Sequence, residues 1–441
     1  MKHLLAAPLV FISLQALATT SESIILARQG CRHEIMALSD RPKIFSPIKD
    51  GDYAEDLVEN PQSMVRSLKE MDRLKLQQGE AVTIPWSDSY WPIYKGGIAE
   101  RYSDEKFMEL DWFEGKNYVD QHPISELLSE GRINDLSPSE KYDLFFQSKG
   151  QPLTSAAWEK GKLYYDRSGN VESWMGHCHG WSAASIMMPE PVKNVEMSFS
   201  GIKGVFHPSD IKALATLLWA QGNYASKFIG GRCNTRTPSP RSERCLDTNP
   251  GTWHLAAVNQ LGISRRPFVM DANFDYEVWN QPVFKYEYTY FNPKTGNVFK
   301  TYEEAVLKRG SFEDSNEKFR AEKTKFIVGV SMQVSYVIEN TPSAGENQEI
   351  ETSSTGYDYD LELDENHQII GGEWHSYQHP DFLWVPVKGT FPATLGDGPD
   401  GGSDFHNITP EMRSVVQANS ERNLPWGPFV RNLFSQSARK N

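Results

Sequence analysis

The spacing of apolar residues predicts helices in the first half of the chain. Three segments place apolar side chains three to four positions apart, as an amphipathic helix does: residues 60–79, 137–146 and 209–220. Asn60, Ser137 and Ser209 stand where these segments begin, and all three are residue types that cap helix N termini. Ser137 and Glu140 are also spaced as a capping box.

After residue 250 apolar residues alternate with polar or small ones, which is the period of a β-strand. The predicted strands are residues 253–258, 267–270, 284–290, 326–338 and 357–363. One short predicted helix, residues 301–308, interrupts the series. A helical first part followed by strands predicts the α+β class.

Composition and charge narrow the classes of function. The chain has 441 residues, more than the ~100–200 residues of a typical domain. Its formal charge is −13, from 45 basic and 58 acidic residues, and the basic residues form no cluster in the sequence. Because nucleic-acid binding needs clustered Lys and Arg, no nucleic-acid partner is expected.

The N-terminus has the pattern of a secretory signal peptide. Lys2 precedes an apolar run from Leu4 to Leu14, and Ala16-Leu17-Ala18 has the small residues of a cleavage site. No later apolar run approaches the ~20 residues that span a bilayer. We therefore expect cleavage after Ala18 and a secreted or periplasmic protein without a membrane anchor.

The predicted organisation has four regions. They are a signal peptide at 1–18, an N-terminal helical region at 19–150, a catalytic α+β region at 151–395 and a C-terminal tail at 396–441. Residues 19–50 are a candidate pro-segment that covers the cleft. The glycine-rich residues 396–402 predict a flexible link to the tail.

The four cysteines lie in different surroundings. Cys233 and Cys245 enclose a polar stretch with two prolines, and exported proteins commonly close such loops with a disulfide, so we predict this pair. Cys31 lies near the predicted mature N-terminus and has no assigned role. The chain has no CxxC motif, so a paired-CxxC zinc site is not supported.

Cys178 lies in the motif Gly176-His177-Cys178-His179-Gly180-Trp181, at the start of a predicted short helix that ends before Pro189. A helix N-terminus presents backbone N–H groups and the positive end of the helix dipole. Both stabilise a thiolate and so raise its reactivity at neutral pH. A buried structural cysteine is the alternative interpretation of the motif taken alone.

A thiolate that attacks an acyl group needs a proton shuttle and a group that orients the shuttle. His254 lies at the start of the predicted strand 253–258, and Asp271 follows the apolar run 267–270. If these strands are antiparallel neighbours, both side chains lie at one end of the pair, where the helix of Cys178 can pack. The sequence therefore predicts a Cys-His-Asp site, with a core histidine as the alternative for His254.

Several motifs over roughly residues 80–390 resemble the oomycete transglutaminase elicitor family. They are Pro85-Trp86-Ser87-Asp88-Ser89-Tyr90-Trp91-Pro92, the motif around Cys178, Val278-Trp279-Asn280-Gln281-Pro282-Val283, Ile370-Gly371-Gly372-Glu373-Trp374 and His379-Pro380-Asp381-Phe382-Leu383-Trp384. The 278–283 peptide is the most specific of them. Here Val283 runs directly into Phe284-Lys285, where the plant-recognised peptide has an extra basic-Gly pair, so recognition by plants is not implied. The short signal peptide suggests a bacterial member.

The resemblance implies a papain-like α+β core, in which the helix carrying the nucleophile packs on an antiparallel sheet. It implies a protein-glutamine γ-glutamyltransferase that forms a thioester between Cys178 and a protein glutamine and passes the acyl group to lysine or another primary amine. Water in place of the amine gives deamidated glutamine. His254 and Asp271 match the other catalytic positions. Calcium is associated with the family, its ligands are not assigned, and no organic cofactor is expected.

Trp174, Trp279 and Asn280 are predicted to line the substrate cleft. The backbone N–H of Cys178 and an indole N–H, from Trp174 or Trp158, are candidate donors to the negative charge that develops on the substrate. Asn273 and Asp275 predict a bend after Asp271. Such a bend returns Trp279 to the cleft, and a tryptophan buried in the core is the alternative.

Three other functions are alternatives to a transglutaminase. A papain-like cysteine protease uses the same residue types, but its Cys-to-His spacing is typically ~130–150 residues, whereas it is 76 here. A serine hydrolase would need Ser182, which falls inside the predicted helix. A non-catalytic recognition protein would not need the predicted triad.

Candidate metal ligands are weak. His375 and His379 have zinc-ligand spacing but lie near a predicted strand end. Two acidic groups are candidates for calcium: Asp358, Asp360 and Asp364, or Asp397, Asp400 and Asp404. Neither has the spacing of an EF-hand, and solvated acidic runs are the alternative.

Overall fold

The computed structural model describes residues 52–107, 109–199, 201–233, 248–397, 405 and 407–438. The predicted signal peptide and pro-segment lie outside these residues, as do Cys31, Cys245, Asp400 and Asp404. What the sequence predicts for them, including the Cys233–Cys245 disulfide, stays a prediction.

The helices lie mostly before residue 260 and again near the C-terminal end. In chain order they are α1 Leu68–Arg73, α2 Trp112–Gln121, α3 Ile124–Ser129, α4 Pro138–Phe146, α5 Pro152–Ser168, α6 Cys178–Met187, α7 Pro208–Gln221, α8 Pro250–Ala257, α9 Tyr302–Ala305, α10 Pro410–Ser420 and α11 Gly427–Ser437. A π-helical turn, Val258–Ile263, extends α8. Among the described residues, no helix combines the length and the apolar character that crossing a membrane requires.

A large antiparallel sheet organises the second half. The strands are β1 Gln78–Glu80, β2 Val195–Phe199, β3 Ile202–Phe206, β4 Ser226–Gly230, β5 Phe268–Asp271, β6 Asn280–Phe291, β7 Val298–Phe299, β8 Leu307–Lys308, β9 Phe326–Val337, β10 Thr352–Leu363, β11 Ile369–Trp374 and β12 Phe382–Pro386. The main path of the sheet is β11-β10-β9-β6-β5-β12-β4. Strands β1 and β7 also pair with β6, and β8 pairs with β9, whereas β2 and β3 form a separate hairpin.

Most of the predicted helices and strands are present. The capping box of Ser137 and Glu140 opens α4, as predicted. Helix α7 covers the predicted segment 209–220, although its capping box uses His207 and Asp210 instead of Ser209. The predicted helices at 60–79 and 301–308 are shorter in the structure, where they are reduced to α1 with a preceding turn and to α9. The predicted strands at 267–270, 284–290, 326–338 and 357–363 correspond to β5, β6, β9 and β10.

The predicted strand at 253–258 is wrong, because residues 250–257 form α8. Every residue of this helix is buried, so its sequence shows no polar face and no helical period. Asn249 caps the helix and Pro250 occupies its first position, a helix-start signal that the alternation of the next residues obscured.

The sheet has two faces that can be told apart from its register. Residues paired across antiparallel strands point to the same side, and successive residues alternate. Asp271 pairs with Asn280, and Val269 pairs with Trp384. We call the side of these four residues the cysteine face, because Asn280 contacts Cys178 there.

The opposite side is the histidine face, defined by Phe268, Met270, Tyr357 and Tyr359. The ring of Trp253 on α8 packs against Phe268 and Tyr357, and the hydroxyl group of Tyr357 lies 4.0 Å from the sulfur of Met270. Helices α6 and α8 therefore cover opposite faces of the sheet.

The C-terminal region, predicted as a tail, contains α10 and α11. Val416 on α10 and Phe429, Val430 and Leu433 on α11 are buried and belong to the main hydrophobic core. This core also includes residues from the N-terminal helical region and from the sheet, so these parts of the described chain share one apolar interior.

Candidate functional site

Cys178 is the first residue of α6, as the sequence predicts, and only 5 % of it is exposed. The loop before it is fixed by Tyr90, whose carbonyl accepts a hydrogen bond from the backbone N–H of His177 at 2.6 Å. Gly176 lies so close to the same carbonyl that a Cβ there would clash with it. The N–H groups of the first turn of a helix have no acceptor within the helix. The thiol therefore lies at an end of the helix that favours negative charge.

The side chain of Asn280 contacts the sulfur. Its amide Nδ2 donates to Cys178 Sγ at 3.3 Å, and the indole Nε1 of Trp384 donates to its Oδ1 at 2.8 Å. The second bond fixes which end of the amide faces the thiol. Ser182, one turn along α6, donates its hydroxyl to the carbonyls of Cys178 and Asn280. These two bonds hold the Ser182 hydroxyl in place and link α6 to β6 next to the thiol.

Asp271 lies beside Asn280 on the neighbouring strand β5 and points to the same cysteine face. The backbone N–H of Trp279 bonds to its carboxyl group. Burial, followed by the nearby carboxyls of Asp381 and Asp275, raises the pKa of Asp271 well above its usual range, and Arg232 opposes this shift. Among the described residues, its Oδ2 atom has no hydrogen-bond partner.

His254 does not join this group. It lies on α8, on the histidine face, where its Nδ1 shares a hydrogen bond of 2.8 Å with the hydroxyl of Tyr359 and its ring meets Tyr288 edge-on. Burial lowers the pKa of His254 to about 3. The predicted adjacency to Asp271 rested on a strand at 253–258, and the helix that forms there instead places the sheet between His254 and Cys178.

Two other histidines flank the thiol. His177 accepts a hydrogen bond from Lys160 Nζ at its Nε2 (3.2 Å), and its Nδ1 lies 3.2 Å from the carbonyl of Trp91. Burial is the main cause that lowers the pKa of His177 well below its usual range, and it lowers the pKa of His179 to about 4, with Lys160 adding to both shifts. Both rings are therefore neutral at neutral pH.

A small cavity of about 30 Å³ adjoins the thiol. Cys178, His179, Trp174 and Asn280 line it together with Lys160 from α5 and Arg232 from the end of β4. No pattern in the sequence points to Lys160 or Arg232 as neighbours of Cys178, since their position beside the cavity depends on how the chain folds. Trp384 belongs to one of the motifs, but its bond to Asn280 could not be read from the chain.

The predicted cleft tryptophans have different surroundings. Trp174 lines the cavity, but its indole N–H donates to Glu172 at 2.7 Å and so is committed to that carboxylate. Trp158 lies in the core against Phe107 and Trp112. A side-chain donor that does contact the sulfur is the amide of Asn280.

Trp279 is half-buried and its indole N–H donates to Glu277 at 3.1 Å. Its ring meets Tyr90 edge-on, with centroids 5.3 Å apart, and its chain neighbours Val278 and Asn280 both contact Cys178 Sγ. Residues 273–277 form the predicted bend. These contacts place Trp279 at the edge of the site, where it is half-buried and also packs against the main hydrophobic core.

The candidate metal ligands do not converge. Asp360 forms an ion pair with Arg320 and accepts from His375 Nε2 at 2.8 Å, while His379 stacks on Phe274 and Trp374. Asp364 accepts backbone N–H groups of its own turn. Among the residues that the structure describes, no three His, Cys, Asp or Glu side chains come together as a metal site. Asp400 and Asp404 lie outside the described residues, so calcium binding stays a prediction.

Comparison with known proteins gives one family and one related structure. A family model described as "Transglutaminase elicitor" matches residues 61–395. The crystal structure of the GP42 transglutaminase from Phytophthora sojae is similar, with a TM-score of 0.51 and 22 % identity over 81 % of this chain and 94 % of that chain. At this identity the similarity concerns the fold. No curated protein matches the chain.

Proposed function

Because the chain belongs to the transglutaminase elicitor family, we propose that it is a protein-glutamine γ-glutamyltransferase with Cys178 as its nucleophile. Its substrates are proteins that present glutamine and lysine side chains. The predicted signal peptide makes it a secreted or periplasmic enzyme, in which a Cys233–Cys245 disulfide would anchor the chain next to Arg232. We propose that α6 and the sheet on which it packs form a papain-like core. His254 has no role in the mechanism proposed below.

The observation that supports this function most is the bond from Asn280 to the sulfur of Cys178. A side-chain amide beside a thiol at a helix N-terminus creates two donors around one point: the Nδ2 group of Asn280 and the backbone N–H of Cys178. A carbonyl attacked by the sulfur places its developing negative charge near that point. Donors arranged in advance for such charge are worth about 100- to 1,000-fold in rate.

The thiolate forms with the help of its surroundings. The N-terminus of α6 favours negative charge, and Lys160 and Arg232 line the same cavity. Because His177 and His179 are neutral, the positive charge near the thiol comes from Lys160 and Arg232. We therefore assign no base to the removal of the thiol proton.

In the first half-reaction the thiolate attacks the γ-carboxamide carbon, and the oxygen takes the negative charge. Asp271, whose raised pKa favours the protonated carboxyl, donates its proton to the nitrogen of the carboxamide. The C–N bond breaks, ammonia leaves, and the glutamyl group remains as a thioester on Cys178. A carboxyl with a raised pKa is suited to this role because it keeps its proton at a higher pH than an ordinary aspartic acid does.

In the second half-reaction a lysine amine attacks the thioester carbon. The Asp271 carboxylate accepts the proton that the amine loses, the C–S bond breaks, and the isopeptide product leaves with Cys178 again a thiolate. When water replaces the amine, the same steps give glutamate, so deamidation is the side reaction. No step passes through calcium, and dependence on it is a separate matter for measurement.

The test is incorporation of a fluorescent primary amine into a glutamine-rich protein by the mature enzyme, with calcium and with chelator. We expect incorporation by the natural chain and none by Cys178→Ala, since only sulfur can form the thioester. Ser185→Ala, a buried serine later in the same helix, is the matched control. Activity in Cys178→Ala would remove the nucleophile assignment, and release of cleaved peptides without amine incorporation would favour a cysteine protease.

A further inference from the structure

The segment from Pro85 to Pro92 is one of the motifs of the sequence, and no step of the proposed reaction uses it. In the structure its first half contacts α6. The indole Nε1 of Trp86 donates to the carbonyl of Met188, the residue after the helix, at 3.1 Å. The indole Nε1 of Trp181 donates to the carbonyl of Trp86 at 2.9 Å. The second half of the segment holds the loop before Cys178.

Two consecutive carbonyl groups of this segment bind His177, the residue just before α6. The carbonyl of Tyr90 accepts the backbone N–H of His177 at 2.6 Å, and the carbonyl of Trp91 lies 3.2 Å from Nδ1 of the same residue. Because Lys160 donates to Nε2 of this neutral ring, the ring proton is on Nδ1 and is donated to Trp91. One turn therefore holds both the backbone and the side chain of the residue next to Cys178.

Trp91 has an unusual backbone conformation in this turn. Its φ angle is +45°, in the left-handed region that a bulky residue rarely adopts. Such a conformation costs free energy and persists only where the surroundings fix it. Trp91 is completely buried, and the hydroxyl of Ser89 accepts its backbone N–H at 3.0 Å. The positions of the two carbonyl groups that bind His177 therefore depend on what holds Trp91.

The side chain of Trp91 is held by Asp88, a completely buried residue. The indole Nε1 donates to Asp88 Oδ2 at 2.7 Å, and the hydroxyl of Thr216 on α7 donates to the same oxygen at 3.3 Å. Burial is the main cause that raises the pKa of Asp88 to about 7, and Lys212 opposes this shift. Since a buried polar group needs hydrogen-bond partners, Asp88 and the indole fix each other's place.

We propose that Asp88 is a positioning residue for Cys178 and acts through Trp91 and His177. This inference rests on the proposed role of Cys178 as the nucleophile. The bond from Trp91 to Asp88 keeps the turn in its left-handed conformation. The turn binds His177 by two carbonyl groups, and His177 leads directly into α6. When the bond is lost the turn relaxes, and the thiol moves away from the amide of Asn280, its partner at 3.3 Å.

The position of the thiol is measured without any glutamine substrate. Iodoacetamide alkylates the thiolate, and mass spectrometry of the Cys178 peptide gives its rate apart from the other cysteines. The pH midpoint of that rate reports how well the surroundings stabilise the thiolate, whereas a change in access alters only the plateau. We expect Asp88→Ala and Trp91→Phe each to raise the midpoint by about half a unit to one unit, the equivalent of one hydrogen bond.

Two further variants separate positioning from stability. Asp88→Asn keeps an oxygen that accepts from the indole, so its midpoint should return to that of the natural chain. Thr216→Val removes the other donor to Asp88 and is the matched control, with a lower melting temperature and an unchanged midpoint expected. An equal shift in Thr216→Val, or a shift in Asp88→Asn as large as in Asp88→Ala, would show a merely structural role.

A double-mutant cycle tests whether Asp88 acts through Trp91. We expect kcat for amine incorporation to fall about threefold to tenfold in Asp88→Ala and in Trp91→Phe, and no further when the two are combined, because both remove the same bond. Losses that multiply in the double variant overturn the proposal, and so do unchanged midpoints in two single variants that are folded by their melting temperatures. If the natural chain incorporates no amine while the midpoints shift as expected, the positioning role stands and the transglutaminase proposal fails.

Discussion

Each face of the central sheet holds a side chain of a type used in catalysis, but one lies beside a cavity and the other is completely buried. On the cysteine face, Cys178 adjoins a cavity and touches Asn280, with Asp271 on the next strand. On the histidine face, His254 is completely buried and packed against Tyr288 and Tyr359. A thiol beside a cavity can meet a substrate, whereas an imidazole enclosed by aromatic rings cannot do so without local unfolding.

A buried titratable group is not by that fact a catalytic group. Burial shifts the pKa values of Asp271 and His254 away from their usual ranges, upward for the acid and downward for the base, because both shifts favour the neutral form. Only geometry distinguishes the two groups. Asp271 shares a face with the nucleophile and His254 does not, so a perturbed pKa by itself is a poor guide to a catalytic role.

The largest effect expected among substitutions that keep the nucleophile and the proton shuttle is that of Asn280→Ala. Removing the amide donor should lower kcat about 100- to 1,000-fold, because the developing charge on the substrate oxygen loses a prepared partner. KM should change much less. The measurement is steady-state amine incorporation, with the exposed Asn297→Ala on the hairpin after β6 as the control. A kcat within threefold of the natural chain would contradict the role of Asn280.

Two tryptophans, one from each face, give a second contrast. Trp279→Ala should lower activity about tenfold with a small change in melting temperature, because the ring is half-buried against Tyr90 at the site. Trp253→Ala, on the histidine face, removes a completely buried ring and should cost about 3–5 kcal/mol of stability. Calorimetry and activity per folded molecule separate the two. A large stability loss for Trp279→Ala would assign that residue to the core instead.

A smaller effect is expected when an indole hydrogen bond is removed on each face. Trp384→Phe loses the bond that orients Asn280 and should lower kcat about threefold to tenfold, in line with one neutral hydrogen bond. Trp374→Phe loses a bond of 3.0 Å to the carbonyl of Thr248 near the histidine face and should leave kcat unchanged. Equal losses of kcat in the two variants would show that the indole bond of Trp384 has no specific role.

We expect replacement of His254 to change the pH dependence of stability and to have little effect on activity. Its folded pKa of about 3 lies below the ordinary value of 6.5, so the unfolded chain binds a proton that the folded chain refuses between these values. Stability from this group is complete above about pH 6.5 and falls as the pH drops toward 3. We expect His254→Asn to reduce the acid-side decline in denaturant midpoint. An identical pH profile in the two proteins would refute this burial effect.

Much of the fold follows from the sequence wherever an element has one polar face. Apolar and polar residues alternate along strands β6, β9 and β10 because these strands have exposed positions on one side. The start of α4 is marked in the sequence by its capping box. Helix α8 does not alternate with the helical period because all of its residues are buried. The local signals of a helix are its cap, Asn249, and Pro250 at its first position. The residues that follow have a pattern typical of a strand.

The site divides in the same way. The position of Cys178 at a helix N-terminus is a local property, and the sequence predicted it correctly. The contact with Asn280 depends on a bend of eight residues that returns the chain to Asp271, and the orienting bond comes from Trp384, 104 residues away from Asn280 along the chain. Such contacts are set by the register of the sheet, and no spacing in the sequence encodes them. The prediction for His254 depends on a strand at 253–258, and the helix that forms there instead places this residue on the other face.

The comparison of Asp271→Asn with His254→Asn in one amine-incorporation assay tests the central claim most directly. Both substitutions replace a buried group by an amide of similar size, and melting temperatures correct for any unfolded fraction. The proton shuttle proposed on the cysteine face predicts at least about a 100-fold loss of kcat for Asp271→Asn and activity within about threefold of the natural chain for His254→Asn. The reverse result, with His254→Asn inactive and Asp271→Asn active, would contradict the account and restore the histidine to the catalytic site.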